Sequence, residues 1–131
     1  MKRRPLPGPR AARTRPQPER CCPRAPAPRP LPKAGRDAAV RALRALADPT
    51  RLEIFRLIAA SAEPVCVCDI TPRFDVNQPT ISHHLRILRE AKLVTVSRRG
   101  VWAHYAADPR GAAAARDAVL TAIPEVAERR P

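Results

Sequence analysis

The 131-residue chain lacks the long apolar runs that carry proteins into or across membranes. No stretch reaches the roughly 18 apolar residues of a membrane span, and no apolar run of signal length follows the arginines of the opening MKRRP. We therefore predict a cytoplasmic protein with no membrane partner. Because disulfides are rare in that compartment, structural disulfides are not expected, and the thiols have a metal-binding role, a redox role or no special role.

Acidic residues are nearly missing from the first 36 positions. These positions hold 11 basic and 1 acidic side chain, together with 10 of the 17 prolines. Such a segment cannot bury enough apolar surface to offset its ordering entropy. We predict a disordered basic Pro/Arg-rich tail over residues 1–36, a folded domain over residues 37–124 and a short C-terminal tail over residues 125–131. The net charge of +13 lies mostly in the first tail, so it overstates the case for nucleic-acid binding.

Two helices are predicted at the start of the domain. In RDAAVRALRALAD one face of the first helix collects its apolar residues, which are Ala39, Val40, Leu43, Leu46 and Ala47. Asp48 suits the N-cap of a second helix and Pro49 its first position. The second helix, TRLEIFRLIAAS, is apolar nearly all round and is therefore expected to be buried.

A helix-turn-helix arrangement is predicted next. A short helix over about Cys68 to Phe74 precedes a longer helix that Asn77 would cap and whose first turn tolerates Pro79. In the longer helix the inward stripe recurs at helical spacing, and it consists of Ile81, Leu85 and Leu88. His84 lies beside this stripe and is expected to be packed. A short helix followed by a longer helix with a polar outer face is typical of helix-turn-helix proteins.

In LVTVSRRGVWAHYAA the spacing of the apolar residues changes from about 3.6 residues, as in a helix, to 2 residues, as in a strand. This predicts a two-stranded hairpin with its turn at Arg98, Arg99 and Gly100. An alanine-rich helix over about Arg110 to Ile123 follows and ends before Pro124. The predicted fold is mainly α with a small β-hairpin, which is a winged helix-turn-helix.

A DNA-binding surface follows from this arrangement. The first turn of a recognition helix enters the major groove, where short donors and acceptors reach base edges. The predicted contacts there are Gln78, Thr80, Ser82 and His83. Arg86 can reach phosphate, and Arg98 and Arg99 at the hairpin tip suit backbone phosphates, which give affinity without sequence choice. The alternative is a solvated helix face beside an ordinary basic turn.

Four segments carry a family resemblance, namely ALADPTRLEIFRLI, CVCDI, NQPTISHHLRILREAKLV and RRGVWAHY. Together they resemble the ArsR/SmtB family of dimeric metal-sensing repressors over about Leu43 to Tyr105. The resemblance implies a homodimer built from the first and last helices. It also implies operator binding through the second helix of the motif without any cofactor, and release when a metal or metalloid binds.

The resemblance also bears on the four cysteines. Cys66 and Cys68 match the two leading cysteines of the family's ligand segment for As(III) or Sb(III), whereas Thr71 stands where a third cysteine is usual. Some family members place an adjacent cysteine pair near the N-terminus, as Cys21 and Cys22 are placed here, and these would complete the site. About 15 residues at about 3.3 Å each can span the gap from Cys22 to Asp37, within one chain or across a dimer. For the thiols the alternative is small buried hydrophobic residues.

Other chemistries fit less well. The cysteine spacings are tighter than those of zinc knuckles, and the last helix has Asp117 but no histidine for the family's other zinc site. CVCDITPR has neither a glycine-rich anion cradle nor an evident acid/base set, so no enzyme is expected. Two other functions remain open: a thiol redox sensor that uses the same cysteines, and a DNA-binding module that senses no ligand.

Overall fold

The computed structural model describes residues 29–126, so most of the predicted N-terminal tail, including Cys21 and Cys22, lies outside the described residues, as do residues 127–131. The elements in chain order are α1 (Lys33–Leu46), α2 (Pro49–Ala59), β1 (Val65–Cys66), α3 (Val67–Ile70), a 3₁₀ turn (Thr71–Arg73), α4 (Gln78–Glu90), β2 (Val94–Arg99), β3 (Trp102–Ala107) and α5 (Pro109–Ala122). None of the helices within residues 29–126 is long and apolar enough to cross a membrane.

Helix α1 begins at Lys33, upstream of the predicted start of the fold at Asp37. The first intrahelical bond runs from the N–H of Arg36 to the carbonyl of Pro32 over 3.0 Å. The predicted boundary follows the density of prolines and charges, and α1 extends four residues upstream of it. The segment after Pro32 holds good helix formers such as Lys33, Ala34 and Arg36, which can join a helix once no further proline interrupts it.

The apolar face predicted for α1 is only partly buried in the structure. The residues that α1 buries are Ala39, Ala42 and Ala45, whereas Val40 and Leu43 are 39% and 48% exposed. Leu46 does contact the core. The small alanine side chains allow α1 to approach its neighbours closely, and this orientation turns the larger apolar side chains outward.

The caps of α2 and α4 agree with the prediction. Asp48 Oδ1 accepts from the N–H of Arg51 at 2.8 Å, and Asn77 Oδ1 accepts from the N–H of Thr80 at 3.0 Å. Each cap is followed by proline in the first turn. A side-chain oxygen at this position satisfies one of the free N–H groups of the first turn, which is why these helices start where they do.

The core lies between α2, α3, α4 and the sheet. Its fully buried large side chains are Ile54, Ile58, Ile70, Ile81, Leu85, Leu88, Leu93 and Val94. All three predicted stripe residues of α4 are among them. His84 is 9% exposed, in agreement with its predicted packing. Helix α5 contributes no fully buried residue and rests mainly against α1.

The predicted hairpin forms, but it belongs to a three-stranded antiparallel sheet of order β1-β3-β2. The additional strand β1 pairs Val65 with Tyr105 and Cys66 with His104. Arg98 and Arg99 are strand residues rather than turn residues, because Arg99 pairs directly with Trp102. The two-residue loop is Gly100 and Val101, and Gly100 takes the positive φ of 61° that a glycine adopts without strain.

The end of α4 and the start of α5 meet at a tight corner. Lys92 leaves α4 in the left-handed region with φ 59°, and the N–H of Leu93 donates to the carbonyl of Leu88 at 3.0 Å. Gly111 in the first turn of α5 lies against this corner, where a Cβ atom would come within 1.7 Å of the Lys92 carbonyl oxygen. Glycine is therefore required at position 111 for α5 to reach α4.

Candidate nucleic-acid interface and thiol site

Helix α4 presents a polar outer face beside its buried stripe. Gln78, Ser82, His83 and Arg86 are exposed, whereas Thr80 is half-buried. The Thr80 hydroxyl donates to Asn77 Oδ1 at 2.8 Å, so its proton serves the cap and its oxygen stays free to accept. The structure thus brings the predicted base-contact residues together along the first two turns of one helix.

His83 and Arg86 form a pair on this face, with Arg86 Nη2 lying 3.0 Å from His83 Nδ1. A guanidinium can only donate, so Nδ1 is the acceptor and the neutral ring carries its proton on Nε2. The contact leaves Nε2–H available as a donor and restrains Arg86 one turn further along the helix. Both groups suit a duplex surface that offers acceptors on its bases and phosphates.

The wing is the hairpin of β2 and β3, and its outer end is basic and exposed. Arg98 and Arg99 are the last residues of β2, and both are exposed. Trp102, which pairs with Arg99, is 51% exposed. Both arginines therefore stand on a paired strand rather than in the predicted turn, and the outer end of the wing presents two exposed cations that suit phosphates.

The two cysteines of CVC meet at a joint between sheet and helix. Cys66 is the last residue of β1 and is 7% exposed, whereas Cys68 lies in α3 and is exposed. Cys66 Sγ also accepts from the N–H of Cys68 at 3.3 Å and so caps α3. Cys66 therefore lies on the edge strand of the sheet, and Cys68 lies on the first helix of the helix-turn-helix.

The two sulfurs are joined as a disulfide, with the Cα atoms 5.1 Å apart. The expectation that structural disulfides are absent relied on the compartment and did not consider local geometry. A single intervening residue at the start of a helix places both sulfurs on the same side, so the two can bond to each other. The same proximity would let the two reduced thiols bind one metal or metalloid atom together.

Thr71 occupies the position of the family's usual third cysteine, and its hydroxyl donates to the carbonyl of Val67 at 2.9 Å. Within residues 29–126, no three histidine, cysteine, aspartate or glutamate side chains are grouped closely enough to hold a metal ion. The described part of the chain therefore supplies two sulfurs at this site. The other two predicted ligands, Cys21 and Cys22, lie outside the described residues.

His104 was not predicted to lie near the thiols. The register of β1 with β3 sets it directly opposite Cys66. Its Nδ1 is buried, and among the described side chains it has no hydrogen-bond partner. No sequence signal indicates this proximity, because it depends on a two-residue strand that pairs with a distant one.

A polar cluster joins α2 to α4. Asp48 Oδ1 lies 3.9 Å from Nδ1 of His84, and Arg51 Nη1 lies 3.4 Å from the same ring nitrogen. The backbone N–H of Arg51 that donates to the carboxylate lowers the pKa of Asp48 below its ordinary 3.8, and the charge of Arg51 acts in the same direction. Sequence reasoning identified Asp48 only as a cap and missed Arg51.

One apolar face remains open on the described chain. Val40 and Leu43 on α1 and Leu120 on α5 are exposed, as is Ile123 just beyond α5, the last two at 61% each. Between the two helices lies a cavity of about 390 Å³ with an almost wholly apolar lining that includes Leu43, Leu46, Phe55 and Leu120. Contiguous apolar surface of this kind marks an interaction site.

Comparison with known proteins gives a consistent family. Residues 48–96 match the family described as "Bacterial regulatory protein, arsR family". A candidate arsenical resistance operon repressor of Halobacterium salinarum is 41% identical over 87 residues, which are 66% of this chain and 64% of that protein. The arsenical resistance operon repressor of Escherichia coli is 41% identical over 70 residues, or 53% of this chain and 59% of that protein. The matched part of the chain thus spans less than two thirds of the length of either relative.

Solved structures agree with the fold. The homodimeric winged helix-turn-helix domain of a possible ArsR-family transcriptional regulator from Mycobacterium bovis superposes with a TM-score of 0.54 at 30% identity. The match covers 73% of this chain and 86% of that one. The predicted winged helix-turn-helix is therefore confirmed, with the added strand β1 as the difference.

Proposed function

We propose that this chain, which belongs to the ArsR family of winged helix-turn-helix bacterial regulators, is a metalloid-responsive repressor. It binds a double-stranded DNA operator as a cytoplasmic homodimer and leaves it when As(III) or Sb(III) is held by its cysteine thiolates. The observation that carries the proposal is the position of Cys66 and Cys68. The two sulfurs are adjacent, and they lie on the sheet edge and on the first helix of the DNA-binding motif.

The DNA side of the proposal uses two surfaces that differ in role. Gln78, Ser82 and His83 on α4 would contact base edges, with Thr80 as an acceptor. Arg86 and the wing residues Arg98 and Arg99 would neutralise phosphates on each half-site. The open face of α1 and α5 would bind a second copy, which would hold two recognition helices about one helical turn of DNA apart.

The ligand side of the proposal depends on a joint that can change its angle. Cys66 is fixed to β3 through backbone pairing, whereas Cys68 is fixed to α3. Reduced thiols that shared one arsenic atom would set the distance between the sheet edge and α3. As(III) favours three thiolates, so Cys21 or Cys22 would supply the third sulfur. For release, the ligand must prefer the DNA-incompetent arrangement of the two elements.

To test this function, release of the protein from DNA is measured as a function of As(III) concentration under reducing conditions. The DNA is a duplex that the wild-type protein selects from random sequence. Cys66→Ser and Cys68→Ser should bind the duplex normally but ignore As(III). The double change Cys21→Ser/Cys22→Ser should weaken the response. Adding Thr71→Cys to that double variant should restore it, because a third thiol then stands at the family's usual position.

The control for packing is Thr71→Ser, which keeps the hydroxyl and should respond like the wild type. Wild-type sensitivity in the Cys66→Ser/Cys68→Ser protein would contradict the metalloid site. A wild-type protein that binds the duplex but never releases it with As(III) or Sb(III) would instead indicate a DNA-binding module without this ligand.

The disulfide favours one alternative function, a thiol redox regulator. Two thiols would lose two protons and two electrons to a peroxide, which would be reduced to water, and a reductant would reverse the step. In the same assay with pre-reduced protein and the reductant removed, this function requires that peroxide alone changes operator affinity and that a dithiol reductant restores it. Peroxide without effect on the wild type, beside release by As(III), would exclude it.

A further inference from the structure

The guanidinium of Arg51 contacts two other helices at once. Its Nε donates to the carbonyl of Ala45, and its Nη2 donates to the carbonyl of Arg44 at 3.2 Å. Both carbonyls belong to the last turn of α1, whose C=O groups have no partner within the helix. The remaining nitrogen, Nη1, lies 3.4 Å from Nδ1 of His84 in α4. One side chain of α2 thus contacts both α1 and α4.

The chemistry of the group suits this position. A guanidinium is planar, and its five N–H donors point in fixed directions, whereas a lysine ammonium is a single compact charge on a flexible stem. The backbone of Arg51 is held as well, because its N–H donates to Asp48 Oδ1 at 2.8 Å. Arg51 is therefore fixed at both ends, and the directions of its donors define where α1 can lie relative to α4.

The other contact between α1 and α4 is apolar, because the buried Ala45 of α1 belongs to the same core cluster as Leu85 and Leu88 of α4. A groove of about 680 Å³ opens between α1 and α4, lined by residues that include Arg36, Val40, Arg44, Ile87 and Glu90. Its lining side chains leave the space between the helices unfilled. Since apolar side chains do not fill this groove, the polar contacts of Arg51 supply a second, directional attachment between α1 and α4.

We propose that Arg51 is a positioning residue that fixes α4 relative to α1 and thereby sets the spacing of the two DNA half-sites that the dimer accepts. This inference rests on the proposed function, in which α1 helps to join the two copies and α4 contacts the bases. A dimer has one distance between its recognition helices only if each helix is rigidly attached to the interface. Arg51 provides that attachment on this side of the junction.

The test uses the full chain and a set of duplexes. One is the palindrome that the wild type selects from random sequence, two carry one or two base pairs inserted between its half-sites, and one carries a single half-site. Arg51→Lys keeps the charge and removes the planar fork. The matched control is Arg56→Lys on the same helix, because the Arg56 side chain is 70% exposed and lies 3.9 Å from Glu53. Sedimentation measures dimerisation of each variant.

The wild type and the Arg56→Lys control should prefer the selected spacing at least about tenfold, since a misplaced half-site loses its base contacts. Arg51→Lys should bind all three palindromes within about threefold of one another, while single-half-site affinity and dimerisation stay within about twofold of the wild type. His84→Phe removes the contact of Arg51 on α4, together with the neighbouring Asp48–His84 contact, and keeps the contacts of Arg51 on α1. Its spacing preference should lie between those of the wild type and Arg51→Lys, and adding it to Arg51→Lys should change little further.

Wild-type spacing preference in Arg51→Lys would overturn the inference. An equal loss of affinity for every duplex, the single half-site included, would also overturn it, because that result indicates a general role in folding. A wild-type protein that remains monomeric or selects no palindrome would contradict the proposed function itself.

Discussion

Helices α1 and α4 are nearly equal in length, with 14 and 13 residues, and both carry an apolar stripe, yet they use it differently. Helix α4 turns its large residues inward, where Ile81, Leu85 and Leu88 are fully buried. Helix α1 buries alanines and leaves Val40 and Leu43 substantially exposed. An apolar stripe thus identifies the helix without stating its partner. The stripe of α4 packs into the chain's own core. The large apolar residues of α1 are not covered by any other part of the described chain.

The sharpest test of this contrast compares two leucine truncations. Leu85→Ala should reduce the free energy of unfolding by about 2–5 kcal/mol, because it leaves a cavity in the core. Leu43→Ala should change the unfolding of the isolated chain by only about 0.5 kcal/mol, but it should weaken dimerisation. Denaturant unfolding at low protein concentration and sedimentation over a concentration series measure the two effects. Equal losses of unfolding free energy in both variants would contradict the contrast.

Two glycine substitutions extend the contrast to the helix ends. Gly111→Ala should destabilise the fold by about 1–3 kcal/mol, because the new methyl group meets the Lys92 carbonyl at the end of α4. Gly35→Ala in the first turns of α1 meets no atom within 4 Å, so it should stabilise the helix by about 0.5–1 kcal/mol. Thermal unfolding of both variants measures the difference. A neutral Gly111→Ala would mean that α5 does not need its close approach to α4.

A further prediction concerns the cap between α1 and α2. Asp48→Ala should cost about 1 kcal/mol of unfolding free energy at neutral pH. Because the folded-state pKa of Asp48 is lowered below 3.8, its contribution is present above that value and disappears as the pH falls through the folded pKa. The difference between variant and wild type should therefore shrink below about pH 4. Asp117→Ala, which removes an exposed carboxylate from α5, serves as the control. A difference that persists unchanged at pH 2 would contradict this role of the carboxylate.

Local patterns predicted much of the fold. Asp48 and Asn77 were identified as caps because a short side-chain oxygen before a proline-containing first turn has few other uses. The stripe of Ile81, Leu85 and Leu88 was predicted because its partners lie within the same chain. These features depend on residues within a turn or two of one another, which a single sequence displays directly.

The features that sequence reasoning missed depend on distant residues or on a second copy. Strand β1 has only two residues, so no alternation could reveal it, and its partner β3 lies beyond the whole helix-turn-helix. The position of His104 opposite Cys66 follows from that pairing. The outward orientation of Val40 and Leu43 could not be predicted from periodicity, because both faces of α1 carry apolar residues.

Because Cys66 pairs with His104, strand β1 can join the sheet only after β3 has been synthesised. Hairpin β2–β3 joins neighbouring segments and can close within about 1–10 μs of its synthesis. Strand β1 precedes its partner by the length of the helix-turn-helix, which a ribosome needs on the order of seconds to add. During that time Cys66 has no sheet to join. The Cys66 sulfur, which is nearly buried in the finished protein, is thus open to solvent in the growing chain until β3 has emerged.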